Sequence, residues 1–188
     1  MKLRTIIAPL LLTVLLLGPS CGSIDLSLIN EVKRFEPEWM NLSETVTYLK
    51  RNLNLTERRY PEDYSDAKPF LSDASANRRS SLYGLSSKYQ NLMSERDQMH
   101  ADFRIQLVEF DKQVAAFNEW VNKLMKNKLG QEEASSAFVE YKRSFRELKK
   151  AMEDLQTALI LNIESHNDVM RQIAAAIPLY NNYDINPV

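Results

Sequence analysis

The chain of 188 residues has one cysteine, four glycines and two histidines, and each scarcity removes a class of chemistry. A single cysteine cannot close an internal disulfide and supplies no Cys pair for metal or redox work. So few glycines leave no Gly-rich loop to cradle a phosphate, and no nucleophile elbow is present. Excess charge of one sign is also missing, with 24 Lys and Arg against 25 Asp and Glu mixed along the chain. A nucleic-acid protein would show a basic face, so nucleic acid is not an expected partner. Long apolar runs are absent except at the start.

That start is Met1-Lys2-Leu3-Arg4, followed by an apolar run from Ile6 to Leu17 broken by Pro9 and Thr13, then Gly18-Pro19-Ser20-Cys21. A basic opening, a short apolar core and small residues before a cut describe a secretory signal over residues 1–20. The run falls short of the roughly 20 apolar residues that cross a bilayer. The lone cysteine sits where the signal would be cut, and a bare thiol in an exported protein is exposed to oxidation. The segment Leu15-Leu16-Leu17-Gly18-Pro19-Ser20-Cys21 resembles the lipobox of bacterial lipoproteins, although Leu17 lies one place further from the cysteine than is usual and Pro19 is uncommon there. The resemblance covers the leader alone. It implies a diacylglycerol on Cys21, cleavage before it, and a location in the cell envelope facing the periplasm or the surface. In that family the residue after the cysteine influences sorting. Gly22 is not the aspartate of inner-membrane retention, which points to the outer membrane. Asn41-Leu42-Ser43 and Asn54-Leu55-Thr56 match the glycosylation pattern, which carries no meaning in a bacterial lipoprotein.

Without residues 1–20 the chain loses two basic groups and no acidic one, leaving 22 basic against 25 acidic, near −3. Leu, Glu, Lys, Arg, Ala, Gln and Met dominate it, all helix formers. The expected fold is all-α: one helical domain over 21–188, an elongated three-helix bundle or antiparallel coiled-coil hairpin with a shorter N-terminal helix packed along it. Three apolar seams carry this reading. The first runs Leu28, Val32, Phe35, Trp39, Leu42, Val46, Leu49, Leu53, in steps of four and three. It predicts a helix over about 24–53, capped by Ser23 or Asp25 and kinked or restarted at Pro37. Residues 54–79 mix charge, tyrosine and proline, and read as a connector, with a loop over about 54–75. The second seam runs from Leu82 to Leu124 within a helix of about 76–129, capped near Ser72 or Asp73 and weakened at Gly84. Leu107, Val114 and Val121 widen its stripe. The third runs from Phe138 to Ala176 within a helix of about 131–177, ended by Pro178, with an irregular tail over 178–188. Ile163, Met170 and Ile177 widen it. Trp39 and Trp120 lie on seams and read as core. Gly130 is the expected C-cap between the two long helices, each roughly 70–80 Å at 1.5 Å per residue.

Antiparallel pairing about Gly130 sets Phe145 against Phe117, Met152 against Phe110 and Leu159 against Phe103. The same register brings His166 near Arg96, and Asn162 near Met99 and His100. Arg96, His100, Asn162 and His166 are therefore expected to form one polar layer in an apolar seam, with Glu95, Asp97 and Glu164 nearby. Such a layer fixes register at some cost in stability. A metal site is the sharper alternative, because His and carboxylates are common ligands, but the paired Glu-x-x-His motifs of di-iron bundles are absent. No catalytic residue, cofactor or metal is assigned. The expected role is a non-enzymatic envelope lipoprotein, a spacer or adaptor for a protein partner. The alternatives are a self-associating homo-oligomer, or a metal- or ligand-binding bundle centred on His100 and His166.

Overall fold

The computed structural model describes residues 25–76, 82–126, 128–176, 185 and 187, with the side chains of 73–76 excluded. Cys21, the leader 1–20 and most of 178–188 lie outside these residues. The described residues form three α-helices and no strand: α1, Leu26–Ala76; α2, Leu85–Met125; α3, Gln131–Ala176. The chain is all-α.

Asp25 starts α1. Its carboxylate accepts from the Ser27 amide at 2.9 Å and its carbonyl from the Leu28 amide at 3.1 Å, which satisfies donors that a helix start leaves open. Hydrogen bonds from the Ser27 hydroxyl and then its amide hold the Asp25 carboxyl below its usual range. All eight residues of the first seam are buried.

The largest departure from expectation lies after Leu53. The stretch expected as a loop over 54–75 is helix, continuous with what precedes it. The buried positions run on at the same spacing through Leu53, Thr56, Tyr60, Asp63, Ala67 and Leu71. Two of those places carry polar side chains, so the period continues while its apolar mark disappears. Pro37, Pro61 and Pro69 all sit at exposed positions of α1. A proline inside a helix deprives the carbonyl four residues back of its donor. On the outer side, water can take the donor's place.

Helix α2 begins later than expected, so Ser72 and Asp73 fall within α1 rather than capping α2. Leu82, Tyr83 and Gly84 form the turn before it. Gly84 has φ +84°, a left-handed conformation that a side chain resists, and its carbonyl accepts from the Lys88 amide at 3.1 Å. It initiates α2 instead of weakening its interior. Gly130 is likewise an N-terminal residue, since its carbonyl takes the Ala134 amide at 2.9 Å to open α3. The end of α2 is closed by the Lys128 amide on the Lys123 carbonyl at 3.0 Å, the six-to-one bond of a Schellman ending.

Contacts divide the chain into two compact units. One holds the described residues up to Glu44 with Leu107–Lys150, and the other holds Thr45–Gln106 with the described residues from Ala151 onward. Each takes a segment from all three helices.

The first unit has an aromatic core. Phe35 of α1 packs on Phe117 of α2 and on Phe138 and Phe145 of α3, at centroid distances of 4.8–6.0 Å. Trp39 packs on Phe110 and Phe145, and Trp120 stacks on Phe138 at 5.6 Å. Edge and stacked pairs of this kind are favourable beyond their buried area. Both tryptophans are buried, and their indole N–H groups have no hydrogen-bond partner among the described residues. In this unit α1 and α3 run parallel, as shown by Gln131 accepting from the Asp25 amide, Lys142 on Glu31 and Lys149 on Glu38. Helix α2 runs against both. The observed facing pairs, Trp120 with Phe138 and Phe117 with Tyr141, are displaced by about one turn from the expected register. The cause is the turn itself: Gly130 belongs to the start of α3, so the connection centres nearer Lys128.

Candidate functional site: a buried polar layer

In the second unit the floor of the core is apolar: Ala67, Leu71, Leu82, Leu85, Tyr89, Leu92, Val169, Met170 and Ile173 pack together. Beside it lies a cluster of buried polar groups drawn from all three helices: Thr56, Tyr60, Asp63, Arg96, Asn162, His166 and Asn167.

Tyr60 is its centre. The ring is fully buried, its hydroxyl donates to Asn162 Oδ1 at 2.8 Å, and the His166 imidazole stacks on it at 4.1 Å and 6°. The Arg96 guanidinium stands over the same ring at 5.5 Å, a distance at which a cation is attracted to an aromatic face. Burial pushes the Tyr60 phenol well above its ordinary range, opposed by the Arg96 charge and aided by Asp63 and Glu95.

Asn162 uses its remaining capacity on α2. Its Nδ2 donates to the Leu92 carbonyl and to Glu95 Oε2, both at 3.2 Å. Arg96 donates from Nη1 to the Thr56 carbonyl at 3.2 Å and from Nε to Asp97 at 3.0 Å. His166 sits between all three helices. Its Nε2 is 2.9 Å from Tyr89 Oη and 3.3 Å from Asp63 Oδ2, and its Nδ1 is 3.3 Å from Asn167 Oδ1. Tyr89 spends its one hydrogen on the Tyr60 carbonyl at 2.9 Å, so toward His166 its oxygen accepts. Both ring nitrogens of His166 thus face acceptors.

Of the four residues expected in the layer, Arg96, Asn162 and His166 converge on Tyr60. His100 lies apart from that ring. Half-buried, it pairs through Nε2 with the Leu53 carbonyl at 2.9 Å, one turn of α1 before the carbonyl that Arg96 takes. The partners also differ from the expected ones. Tyr89, not Arg96, faces His166, and Leu92 and Glu95, not Met99, face Asn162. The displacement has the same direction as in the aromatic core but is larger, about two turns from Arg96 to Tyr89 and from Met99 to Leu92. The sequence reading missed Tyr60, Asp63, Tyr89 and Asn167. Tyr60 and Asp63 were hidden by the supposed loop, and continuing the four-three count past Leu53 would have found both.

The donors of the layer are taken up within the protein. Tyr60, Tyr89, Asn162 and Arg96 spend them on one another, on helix carbonyls or on the carboxylates of Glu95 and Asp97, which is what a buried polar group requires. Asp63 meets Arg59 through Oδ1 at 3.5 Å and the His166 ring through Oδ2 at 3.3 Å. Three carbonyls of α1, at Leu53, Thr56 and Tyr60, each receive a side-chain bond from α2. These bonds tie α2 to one height on α1. Among the described residues no group of three or more His, Cys, Asp or Glu is placed to hold a metal ion. None of the described helices is long and apolar enough to cross a membrane. No protein-family model, curated protein or solved structure matches the chain.

Proposed function

We propose that this protein is an envelope lipoprotein, tethered by a lipid on Cys21, whose helical body serves as a non-enzymatic spacer or adaptor for a protein partner. The observation that carries the reading is the leader: a basic start, an apolar run from Ile6 to Leu17, and the only cysteine of the chain directly after Gly18-Pro19-Ser20. Two acyl chains or more give stable anchoring. Only Gly22, Ser23 and Ile24 separate Cys21 from Asp25, the cap of α1, so the anchor holds the helices close to the membrane surface. The polar layer supports a structural role, because Tyr60, Tyr89, Asn162 and Arg96 are committed to bonds between helices. Metabolic labelling with a tagged palmitate tests the tether. Label should enter the wild-type chain and not Cys21→Ser, and the variant should leave the membrane fraction folded. Label on Cys21→Ser, or its retention in the membrane, would contradict the proposal.

Self-association is the second reading. The flanking stripe of α2 does not favour it, since Val121 is buried and Leu107 and Val114 are half-buried. Ile105 and Val108, one turn apart on α2, are 66 % and 70 % exposed and give it some footing. Light scattering across a concentration series separates the readings, with a constant monomer mass removing the second.

A further inference from the structure

Asn167 is the member of the polar cluster that points away from helix alignment. It is buried on α3, and its carboxamide makes two hydrogen bonds to one distant residue. Asn167 Nδ2 donates to the Ile185 carbonyl at 2.7 Å, and the Ile185 amide donates to Asn167 Oδ1 at 2.8 Å. A pair of groups that exchanges both an N–H and a C=O bond with a single residue reproduces what a neighbouring β-strand offers an extended backbone. Ile185 is itself 3 % exposed.

The amide cannot be turned over without loss. Reversed, its NH2 would face the Ile185 N–H, and its oxygen would face the Ile185 carbonyl. The His166 Nδ1 approaches the same Oδ1, and that ring is fixed by its stack on Tyr60 and its contact with Tyr89. The clamp is therefore held in one orientation by the core.

We propose that Asn167 is the clamp of a docking site for an extended peptide backbone carrying an aliphatic residue, and that this chain's own segment at Ile185 occupies it. The two bonds read backbone and not sequence. Selectivity comes from the burial that the aliphatic side chain gains. Recognition of extended segments by main-chain pairing plus a side-chain site is a common mode of peptide binding.

The test uses the full chain. Amide exchange at Ile185, followed by NMR, should be slowed at least about tenfold in the wild type, the effect of two ordinary hydrogen bonds closed to water. Asn167→Leu should return Ile185 to the rate of a free peptide while amides of Leu159 and Phe145 stay protected. If Asn167→Leu unfolds α3, Asn167→Asp decides, since it keeps the acceptor for the Ile185 amide but loses the donor to its carbonyl. Partial protection supports the clamp, and full protection refutes it. In a second arm, a labelled peptide of residues 181–188 is added to the Ile185→Asp chain, whose site is vacated. Its anisotropy should rise, with at least about tenfold weaker binding to the wild type and to Ile185→Asp/Asn167→Leu. Equal binding to all three chains, or unprotected Ile185 in the wild type, overturns the proposal.

Discussion

Replacing Asn162 by leucine tests the physical role of the polar layer most directly. The substitution nearly keeps size, slightly favours the helix and removes a carboxamide that serves two helices. Tyr60 Oη, fully buried, then loses the acceptor it holds at 2.8 Å. A buried donor left unsatisfied costs about 1–3 kcal/mol. The bonds from Nδ2 to the Leu92 carbonyl and to Glu95 are lost as well. They add about 1 kcal/mol, because a helix carbonyl retains other partners and Glu95 is exposed. The total is about 2–4 kcal/mol, or a fall in melting temperature of about 4–16 °C for a chain of this size. Tyr60→Phe alone leaves Asn162 Oδ1 without its donor and costs about 1–3 kcal/mol. The double variant removes both partners at once. Its cost should fall short of the sum of the singles by about 1–3 kcal/mol, since an unpaired group no longer remains. Denaturant unfolding of the four proteins gives this difference. Additivity within about 0.5 kcal/mol would show that the two groups do not depend on each other, and the description of a coupled layer would fail.

Three further outcomes follow from the same geometry. His166→Ala removes the imidazole that stacks on Tyr60 and lies 3.3 Å from Asp63 Oδ2, while Arg59 still pairs with Asp63 Oδ1 at 3.5 Å, and the cavity and the lost polar contact should destabilise by about 2–3 kcal/mol. Asp63→Asn in that background should recover part of the loss, and its failure to do so in thermal melts would discount the pair. Pro61→Ala restores a donor to the Glu57 carbonyl on an exposed face of α1 and should raise stability by about 1–3 kcal/mol; an unchanged or lower melting temperature would mean that the proline shapes the helix around Tyr60. The raised Tyr60 phenol makes the fold prefer its neutral form. Its stability contribution is complete below the unfolded value near 10 and is lost as pH rises above it, at about 1.4 kcal/mol per pH unit. Between pH 9 and 11 the stability of Tyr60→Phe should therefore fall less steeply than that of the wild type, and identical slopes would show that Tyr60 ionises freely.

The sequence declared the helical class through spacing alone. Leu28 to Leu53, Leu82 to Phe103 and Phe138 to Met152 recur at the period of a helix, and most of these positions are buried because one face of each helix must leave water. Asn162 and His166 were legible as polar interruptions of that period, and Asp25 as a cap. The polar half of α1 was not legible as helix. Thr56 and Asp63 occupy its inward face, and three prolines read as breaks, although all three face outward. A proline's cost depends on whether the freed carbonyl meets water or core, which a linear pattern does not record. The register of α3 on α2 was likewise undetermined. A shift of one turn keeps every apolar residue on the seam, and only the turn geometry, with Gly130 opening α3 and not closing α2, selects between the alternatives.

The same holds for the two features with most consequence for function. The leader and Cys21 are local, and local chemistry is readable in the sequence, so the proposed tether rests on residues 1–21. The convergence of Tyr60, Tyr89, Asn162 and His166 on one another, and of Asn167 on Ile185, joins residues 18 to 106 positions apart. Hydrogen bonds at that separation exist only once the helices are stacked, because their geometry tolerates errors of well under a helical turn. The sequence thus determined what kind of elements this protein has, and it alone carries the residues on which the proposed tether rests. Tertiary structure decided which polar groups meet, and so what aligns the helices and what α3 holds.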